Sequence, residues 1–241
     1  MPNPFFQFKQ FTVFQDQCAM KVSTDACIFG AWMAGILRDR VPADGRILDI
    51  GTGTGLLALM IAQQSGAFIT GVDIQESDVR QAAANMAASP WSDRLRALPG
   101  DINDLAFSDA FDAIVANPPF FEGDLQGPEA ARNLARHGET LTFTQLLRVL
   151  ARDLTPTGIA GVLIPHHRLN PFLADARKNG LHAKEIVQLC QTPRHDPFRS
   201  MIWLQRQDPR DTPILQTWII RHGETYGPEC HTLLKDYYLY L

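Results

Sequence analysis

The chain has 241 residues, of which 45% are hydrophobic and 20% are charged, and its formal net charge is −4. A chain of this length can bury one substantial core, and its composition is typical of a folded globular protein rather than of collagen, a coiled coil or a disordered chain. Because no apolar stretch reaches the roughly 18 residues that a membrane helix needs, we expect no membrane-spanning segment.

The cysteines and the N-terminus predict a cytoplasmic protein without a metal centre. The four cysteines lie far apart, with no Cys-x-x-Cys pair, at positions 18, 27, 190 and 230. This spacing indicates reduced thiols rather than a disulfide framework or a zinc ribbon. The adjacent His166 and His167 have no third ligand at metal spacing, so we expect no metal site. The N-terminal residues lack the basic and apolar regions of a signal peptide.

Charge is distributed unevenly along the chain. Residues 41–130 contain thirteen acidic and four basic side chains, a net charge of −9. Residues 166–210 contain eight basic and four acidic side chains, a net charge of +4, and four histidines. Such an arrangement allows one face to bind a polyanion while another face repels it, although ordinary solvated surface charge explains it equally well.

Predicted strands and helices alternate along the chain. Apolar runs that end at glycine, proline or other turn residues predict strands over 46–50, 68–74, 95–98, 111–116, 159–164, 185–189, 201–204 and 217–220. Apolar residues at helical spacing predict helices over 56–62, 79–88, 143–154 and 171–178 and a final amphipathic segment over 229–241. This alternation predicts βαβ units, a mostly parallel sheet and a ligand site beyond the carboxyl ends of its strands.

A glycine-rich segment follows the first predicted strand and opens a helix. Its sequence over 49–55, Asp-Ile-Gly-Thr-Gly-Thr-Gly, contains Gly51, Gly53 and Gly55. Glycines permit positive φ and a close approach of the backbone to a ligand, and the helix N-terminus offers free N–H groups. Residues 53–58 also satisfy the G-x-G-x-x-G/A pattern of dinucleotide-binding proteins. The glycines alone leave both kinds of nucleotide ligand open.

Acidic residues at the strand ends argue against a dinucleotide. Asp49 stands two residues before Gly51, where its carboxylate would repel a pyrophosphate but attract an ammonium group. Asp73 ends the second predicted strand and Asp101 follows the third. Since ligands bind beyond the carboxyl ends of parallel strands, we expect these three carboxylates to surround one ligand.

The D-x-G-x-G-x-G segment resembles the first motif of the class I S-adenosylmethionine-dependent methyltransferases. The resemblance implies an α/β, Rossmann-like fold, with a mostly parallel seven-stranded sheet, helices on both faces and a short N-terminal extension. It also implies S-adenosylmethionine as the cofactor, with its methionine end at Asp49, its ribose at Asp73 and its adenine near 74 and 101–102. A segment with Lys21 and Thr24 could close over it, although capping is equally plausible. The predicted cofactor-binding residues are Asp49, Gly51, Thr52, Gly53, Gly55, Asp73, Ile74, Asp101, Ile102, Lys21 and Thr24.

The sequence Asn-Pro-Pro-Phe follows the fourth predicted strand, at 117–120. The prolines fix φ and remove two backbone donors, so that carbonyl groups are free to accept. The Asn117 side chain and the Pro118 carbonyl could each accept one N–H of an exocyclic amine and direct its lone pair at a methyl group, while Phe120 stacks on the base. The predicted catalytic residues are therefore Asn117, Pro118, Pro119 and Phe120. The segment resembles the fourth motif of amino-group methyltransferases, which act on adenine N6, guanine N2 or glutamine N5.

Segments along nearly the whole chain resemble one bacterial family, the tRNA(Val) adenine-N6-methyltransferases. They are residues 8–11, 18–26, 30–32, 48–51, 56–60, 89–91, 117–119, 132–146 and 235–239. The resemblance implies N6-methylation of the adenine beside the anticodon, with tRNA as the partner. The family usually carries Tyr where this chain has Phe120. Because Asn-Pro-Pro-Phe is the usual form in guanine-N2 enzymes, a ribosomal-RNA guanine-N2-methyltransferase stays open.

Five basic residues are candidates for contact with RNA. Arg132 and Arg136 lie four apart on a predicted helix, and Arg194 and Arg199 lie in a proline-bounded loop of the basic region. Lys9 near the N-terminus is the fifth. Each of these side chains could instead belong to an ordinary solvated surface.

We expect one methyltransferase domain over 1–241, with an N-terminal cap segment over 1–45, a core sheet over 46–206 and a C-terminal strand and amphipathic segment over 207–241. Three other activities stay as alternatives. A release-factor glutamine-N5-methyltransferase usually carries a separate N-terminal helical domain. A nicotinamide-dependent dehydrogenase would need a proton donor and a second domain. A non-catalytic cofactor-binding module would not need the stiff turn at 117–120. A monomer is favoured, but the sequence does not determine the oligomeric state.

Overall fold

The structure, a computed structural model, is built around one mixed β-sheet and describes residues 3–18, 20–117, 141–208 and 212–241. Its strands are β1 Phe5–Gln7, β2 Thr12–Phe14, β3 Arg46–Ile50, β4 Phe68–Asp73, β5 Leu95–Pro99, β6 Phe111–Ala116, β7 Leu154–Pro165, β8 His182–Cys190, β9 Arg199–Gln205, β10 Ile214–Ile219, β11 Arg221–His222 and β12 Thr225–Tyr226. Its α-helices are α1 Thr24–Arg38, α2 Leu56–Ala62, α3 Glu76–Ala87, α4 Phe143–Asp153, α5 Leu169–Lys178 and α6 Pro228–Leu234, and a short 3-10 helix spans His166–Arg168.

The central sheet has eight strands in the order β10-β8-β9-β7-β6-β3-β4-β5. Only β9 is antiparallel to its neighbours, β7 and β8; the other adjacent pairs are parallel. The predicted mostly parallel sheet is therefore confirmed. The strand number is corrected from seven to eight, because β10 adds an edge strand by pairing with β8 over Ile214–Ile219.

The strand ends are level at one edge of the sheet. Ile50 at the end of β3 pairs with Val72 of β4 and with Ala116 of β6. Asp73 at the end of β4 pairs with Pro99 of β5. The segments that follow β3, β4, β5 and β6 therefore begin side by side. We call the end of the sheet at which these strands terminate, where the sequence predicts a cofactor, the cofactor edge. The end at which they begin is the opposite edge.

Helices cover both faces of the sheet, as predicted. Ile47 and Ala113 face a core formed with α1, α2 and α3, whereas Leu48 and Ile114 face a core formed with α4 and α5. Burial on both faces explains why these strands are continuous apolar runs rather than alternating ones. Helix α1 packs so closely on the sheet that a Cβ at Gly161 would lie 2.5 Å from the Met33 sulfur.

The two ends of the chain pack together over the face that carries α1 and α2. The β1–β2 hairpin contributes Phe8, whose ring stacks on Phe11 with centroids 4.5 Å apart and contacts Tyr238 at 5.9 Å. Buried Tyr237 donates a hydrogen bond from its hydroxyl to the Met60 carbonyl, at 3.0 Å. The predicted amphipathic segment over 229–241 is thus a short helix, α6, followed by a docked aromatic turn. Across the described residues, no helix is long and apolar enough to cross a membrane.

Candidate functional site

The glycine loop, residues 51–55, turns sharply between β3 and α2 at the cofactor edge. Gly51, Gly53 and Gly55 have φ values of 69°, 52° and 80°. Side chains with a Cβ rarely adopt this left-handed conformation, so the alternate glycines are required by the shape of the loop. The loop is anchored on β4, because the Val72 carbonyl accepts the N–H groups of Gly51 at 2.8 Å and Thr52 at 3.0 Å.

Asp49 lies fully buried beneath the glycine loop. Its Oδ2 accepts a hydrogen bond from the Thr52 hydroxyl at 2.7 Å, whereas Oδ1 is buried and accepts none from the described residues. Burial raises the pKa of this carboxyl to about 7, against the opposing effects of the Thr52 hydrogen bond and the nearby Ala58 N–H. A buried acceptor without a donor calls for a missing partner. Thr52, predicted to bind cofactor, is itself buried and holds Asp49.

Asp73 at the end of β4 supports the loop from the other side. Its Oδ2 accepts the Gly53 N–H at 2.9 Å, and its Oδ1 accepts the Gln75 N–H at 3.0 Å. Burial raises its pKa above the ordinary aspartate value, and the same hydrogen bonds oppose the rise. The Ile74 N–H also acts on this carboxylate. Since an ionised carboxylate offers about four acceptor positions, some acceptor capacity remains for a ligand. The neighbouring Ile74 side chain is 45% exposed.

The segment after β5 has one side chain near the cofactor edge and one in the core. Asp101 is half-buried, and its Oδ1 accepts hydrogen bonds from the backbone and side-chain amides of Asn103, both at 2.8 Å. Ile102 packs in the core shared with α4, and its carbonyl accepts from Arg152 at 3.0 Å. The Ile102 side chain therefore packs into the core rather than lying at the cofactor edge.

Asn117 is half-buried and directly follows Ala116 at the end of β6. Since Ala116 pairs with Ile50, Asn117 lies level with Gly51 at the start of the glycine loop. The remaining predicted residues of this part of the chain, Pro118, Pro119, Phe120, Arg132 and Arg136, lie outside the described residues.

Residues 15–18 and 20–22, between β2 and α1, are held together by their own side chains. Gln15 Oε1 accepts the Val22 N–H at 2.8 Å. The Lys21 ammonium donates to the carbonyls of Gln15 and Cys18, the latter at 2.9 Å. Lys21 therefore holds this loop together, and Thr24 is the half-buried first residue of α1.

Two polar side chains of α3 were not among the predicted site residues. Gln81 and Asn85, one helical turn apart, are buried and bind the backbone of the N-terminal segment. The signal in the sequence was a pair of polar residues four apart, on a helix face that also carries buried Asp78, and such a pattern does not reveal their partners.

The predicted RNA-binding residues lie in different surroundings. Arg194 is exposed in the loop between β8 and β9. Arg199 is the first residue of β9 rather than part of that loop, and it forms an ion pair with Asp25 of α1 at 3.1 Å. Lys9 donates to the Lys235 carbonyl at 2.5 Å. The next residue, Asp236, accepts a hydrogen bond from Gln63 directly after α2, so Lys9 lies at the opposite edge.

Among the described residues, no three His, Cys, Asp or Glu side chains come together in a way that could hold a metal ion.

Two solved structures of low sequence identity share the fold of this chain. A predicted O-methyltransferase from Agrobacterium tumefaciens superposes with a TM-score of 0.63 at 17% identity, over 88% of this chain and 96% of that chain. A Listeria monocytogenes protein assigned to the class I S-adenosylmethionine-dependent methyltransferases superposes with a TM-score of 0.60 at 16% identity, over 82% of this chain and 67% of that chain. These similarities confirm the predicted Rossmann-like methyltransferase fold.

Curated relatives match along the full length. Residues 32–154 match the methyltransferase small domain family. Proteins named tRNA1(Val) (adenine(37)-N6)-methyltransferase are 42% identical in Phocaeicola vulgatus, over 99% of both chains, and 40% identical in Bacteroides thetaiotaomicron, over 100% of both chains. With its glycine loop, its strand-end carboxylates and this full-length similarity, the chain belongs to the tRNA1(Val) (adenine(37)-N6)-methyltransferase family.

Proposed function

We propose that this chain transfers a methyl group from S-adenosylmethionine to N6 of an adenine in tRNA, and that this adenine is position 37 of tRNA1(Val). The observation that carries the proposal is the position of Asn117, level with the glycine loop at the cofactor edge. This arrangement brings an amide acceptor beside a nucleotide-binding loop. The substrate assignment is supported by the names of the full-length relatives.

The residues at the cofactor edge fit S-adenosylmethionine. Asp49 Oδ1 is a buried acceptor that receives no hydrogen bond from the described residues, which suits the ammonium of a methionine moiety. Asp73 retains acceptor capacity that suits ribose hydroxyls, and exposed Ile74 offers an apolar surface for a purine ring. Asp101 is the candidate for the adenine amino group. When bound, this cofactor supplies an electrophilic methyl group on a sulfonium sulfur.

Asn117 would orient the nucleophile. The lone pair of an adenine amino group is delocalised into the ring, which makes the nitrogen a poor nucleophile. If the Asn117 side-chain carbonyl and the Pro118 carbonyl each accept one N–H, the nitrogen is drawn toward tetrahedral geometry and its lone pair is directed at the methyl group. Catalysis then comes mainly from alignment rather than from a general base. Pro119 would stiffen the turn, and Phe120 would stack on the flipped base.

The tRNA would approach across the carboxyl ends of β7 and β8. Because β9 runs antiparallel to both, its first residue, Arg199, also lies at the cofactor edge, with the loop that contains Arg194. Lys178, at the end of α5 just before β8 begins, lies at the opposite edge. Exposed Arg194 is therefore the stronger candidate for a phosphate contact, since the charge of Arg199 is already partly balanced by Asp25. Arg132 and Arg136 stay predictions.

One observation favours a second candidate. Phe120 stands where the family usually carries Tyr, and Phe is usual in guanine-N2 enzymes, so methylation of guanine N2 is the alternative.

We predict that Asn117→Ala lowers kcat for tRNA methylation by about a hundredfold or more, because the acceptor acts mainly in the transition state. Affinity for S-adenosylhomocysteine, measured by calorimetry, should stay within a few-fold. Asn179→Ala, a matched change after α5 at the opposite edge, should leave kcat unchanged. An Asn117→Ala protein that keeps more than about a tenth of the wild-type kcat contradicts the role assigned to Asn117.

The raised pKa of Asp49 predicts that cofactor binding depends on pH. Below about pH 7 the buried carboxyl is protonated, and an ammonium group must displace that proton in order to bind. Affinity for S-adenosylhomocysteine should therefore rise about tenfold from pH 6 to pH 8, with proton release at pH 6. In Asp49→Asn, which cannot ionise, the rise should disappear. Equal pH dependence in both proteins would show that Asp49 does not face the ammonium group.

The position of Arg194 in the exposed loop between β8 and β9 predicts how the affinity for tRNA depends on salt concentration. Arg194→Ala should make the negative slope of log K against log[salt] for tRNA binding shallower by about one unit, because one phosphate contact is lost. Lys178→Ala removes the same charge from the opposite edge and should leave the slope unchanged. If the two variants have the same slope, the RNA does not bind along this loop.

A further inference from the structure

Asn85 of α3 joins two parts of the chain that are far apart in sequence. Its side chain is 1% exposed. Its Oδ1 accepts the Phe14 N–H at 3.0 Å, and its Nδ2 donates to the Phe14 carbonyl at 2.8 Å and to the Thr54 carbonyl at 2.9 Å. The amide therefore pairs with β2 as a neighbouring strand would, and with its second donor it holds the glycine loop.

The Thr54 carbonyl belongs to the peptide unit that joins the last two residues of the glycine loop. The same unit contains the Gly55 N–H, which donates to the Thr52 carbonyl at 2.8 Å. The Thr54–Gly55 peptide is thus held at both ends, by Asn85 and by Thr52. On one side of it lies Gly53, whose N–H binds Asp73. On the other side lies Gly55, which has a φ of 80° and directly precedes α2. Turning this peptide would disturb both neighbours.

The face of α3 around Asn85 is shaped to the loop. A Cβ at Gly55 would lie 3.4 Å from Met86 and 3.5 Å from Ala82, which flank Asn85 on the same helix face. Helix and loop are therefore in direct contact, with the Asn85 amide between them. Gln81, one turn earlier, accepts the Gln17 N–H at 3.2 Å, and among the described residues it has no hydrogen bond to the glycine loop.

We propose that Asn85 is a positioning residue that couples the N-terminal segment, residues 12–18 and 20–22, to the cofactor site. It holds the Thr54–Gly55 peptide so that the glycine loop and the Asp73 carboxylate keep the geometry that binds cofactor. Because the same amide binds Phe14, docking of the N-terminal segment and binding of cofactor strengthen each other. The inference rests on the proposed cofactor site, but the experiments below can contradict the coupling without contradicting that site.

The first test compares two variants on one helix face. Asn85→Ala removes the bonds to both Phe14 and Thr54, whereas Gln81→Ala removes only a bond to the N-terminal segment. Calorimetry with S-adenosylhomocysteine should show about tenfold weaker binding for Asn85→Ala and a smaller loss, about twofold, for Gln81→Ala, which loosens the N-terminal segment but leaves the Thr54 bond in place. At saturating cofactor the kcat of Asn85→Ala should stay within about twofold of wild type, because the change acts on binding. Equal affinities of the two folded variants would overturn the inference.

The second test uses the wild-type protein and does not depend on whether a variant folds. Amide exchange measured by NMR should slow at the Phe14 N–H, which Asn85 binds, when S-adenosylhomocysteine is added. The Phe8 N–H, which donates to the Phe11 carbonyl at the far end of the hairpin, should be unaffected. Slower exchange in the glycine loop without any change at Phe14 would overturn the coupling alone. No binding of S-adenosylhomocysteine to the wild-type protein would contradict the proposed cofactor site itself.

Discussion

The positive-φ backbone of the glycine loop is the constraint on which the rest of the site depends. Three alternate glycines permit this conformation, but the surrounding groups hold it in place. The Val72 carbonyl binds the start of the loop, the Asp73 carboxylate binds its middle, and the Asn85 amide binds the carbonyl before its last glycine. These groups come from one neighbouring strand and one helix. A change in any of them would therefore alter the shape of the loop and the position of the Asp73 carboxylate beside it.

Strand direction arranges charge around this loop. The acidic region of the chain supplies the buried carboxylates beneath and beside the loop, where a ligand with an ammonium group and ribose hydroxyls would be held. The basic region reaches the same edge only because β9 is antiparallel to its neighbours, which brings its first residue to the end of β7. If β9 were parallel, Arg199 would lie at the opposite edge. The one reversed strand thus brings Arg199 to the same edge of the sheet as the acceptor Asn117.

Much of the fold and of the loop could be predicted because their signals are local. Apolar runs marked the strands, alternating glycines marked the turn, and Asp49 and Asp73 lie within or directly after a strand. The Asn85 bonds to Phe14 and Thr54 span 71 and 31 residues, and the Arg199–Asp25 pair spans 174. Nothing near those residues indicates their partners. Ile102 was placed near the adenine by the resemblance to class I methyltransferases, whereas its side chain packs in the core beside α4.

The central claim is that this edge of the sheet methylates an adenine amino group in tRNA. The most direct measurement is mass spectrometry of nucleosides from an unmodified tRNA1(Val) transcript after incubation with the purified protein and S-adenosylmethionine. The account predicts N6-methyladenosine, located at position 37, and none with the Asn117→Ala protein. Formation of N2-methylguanosine, or of no methylated nucleoside with the wild-type protein, would contradict it.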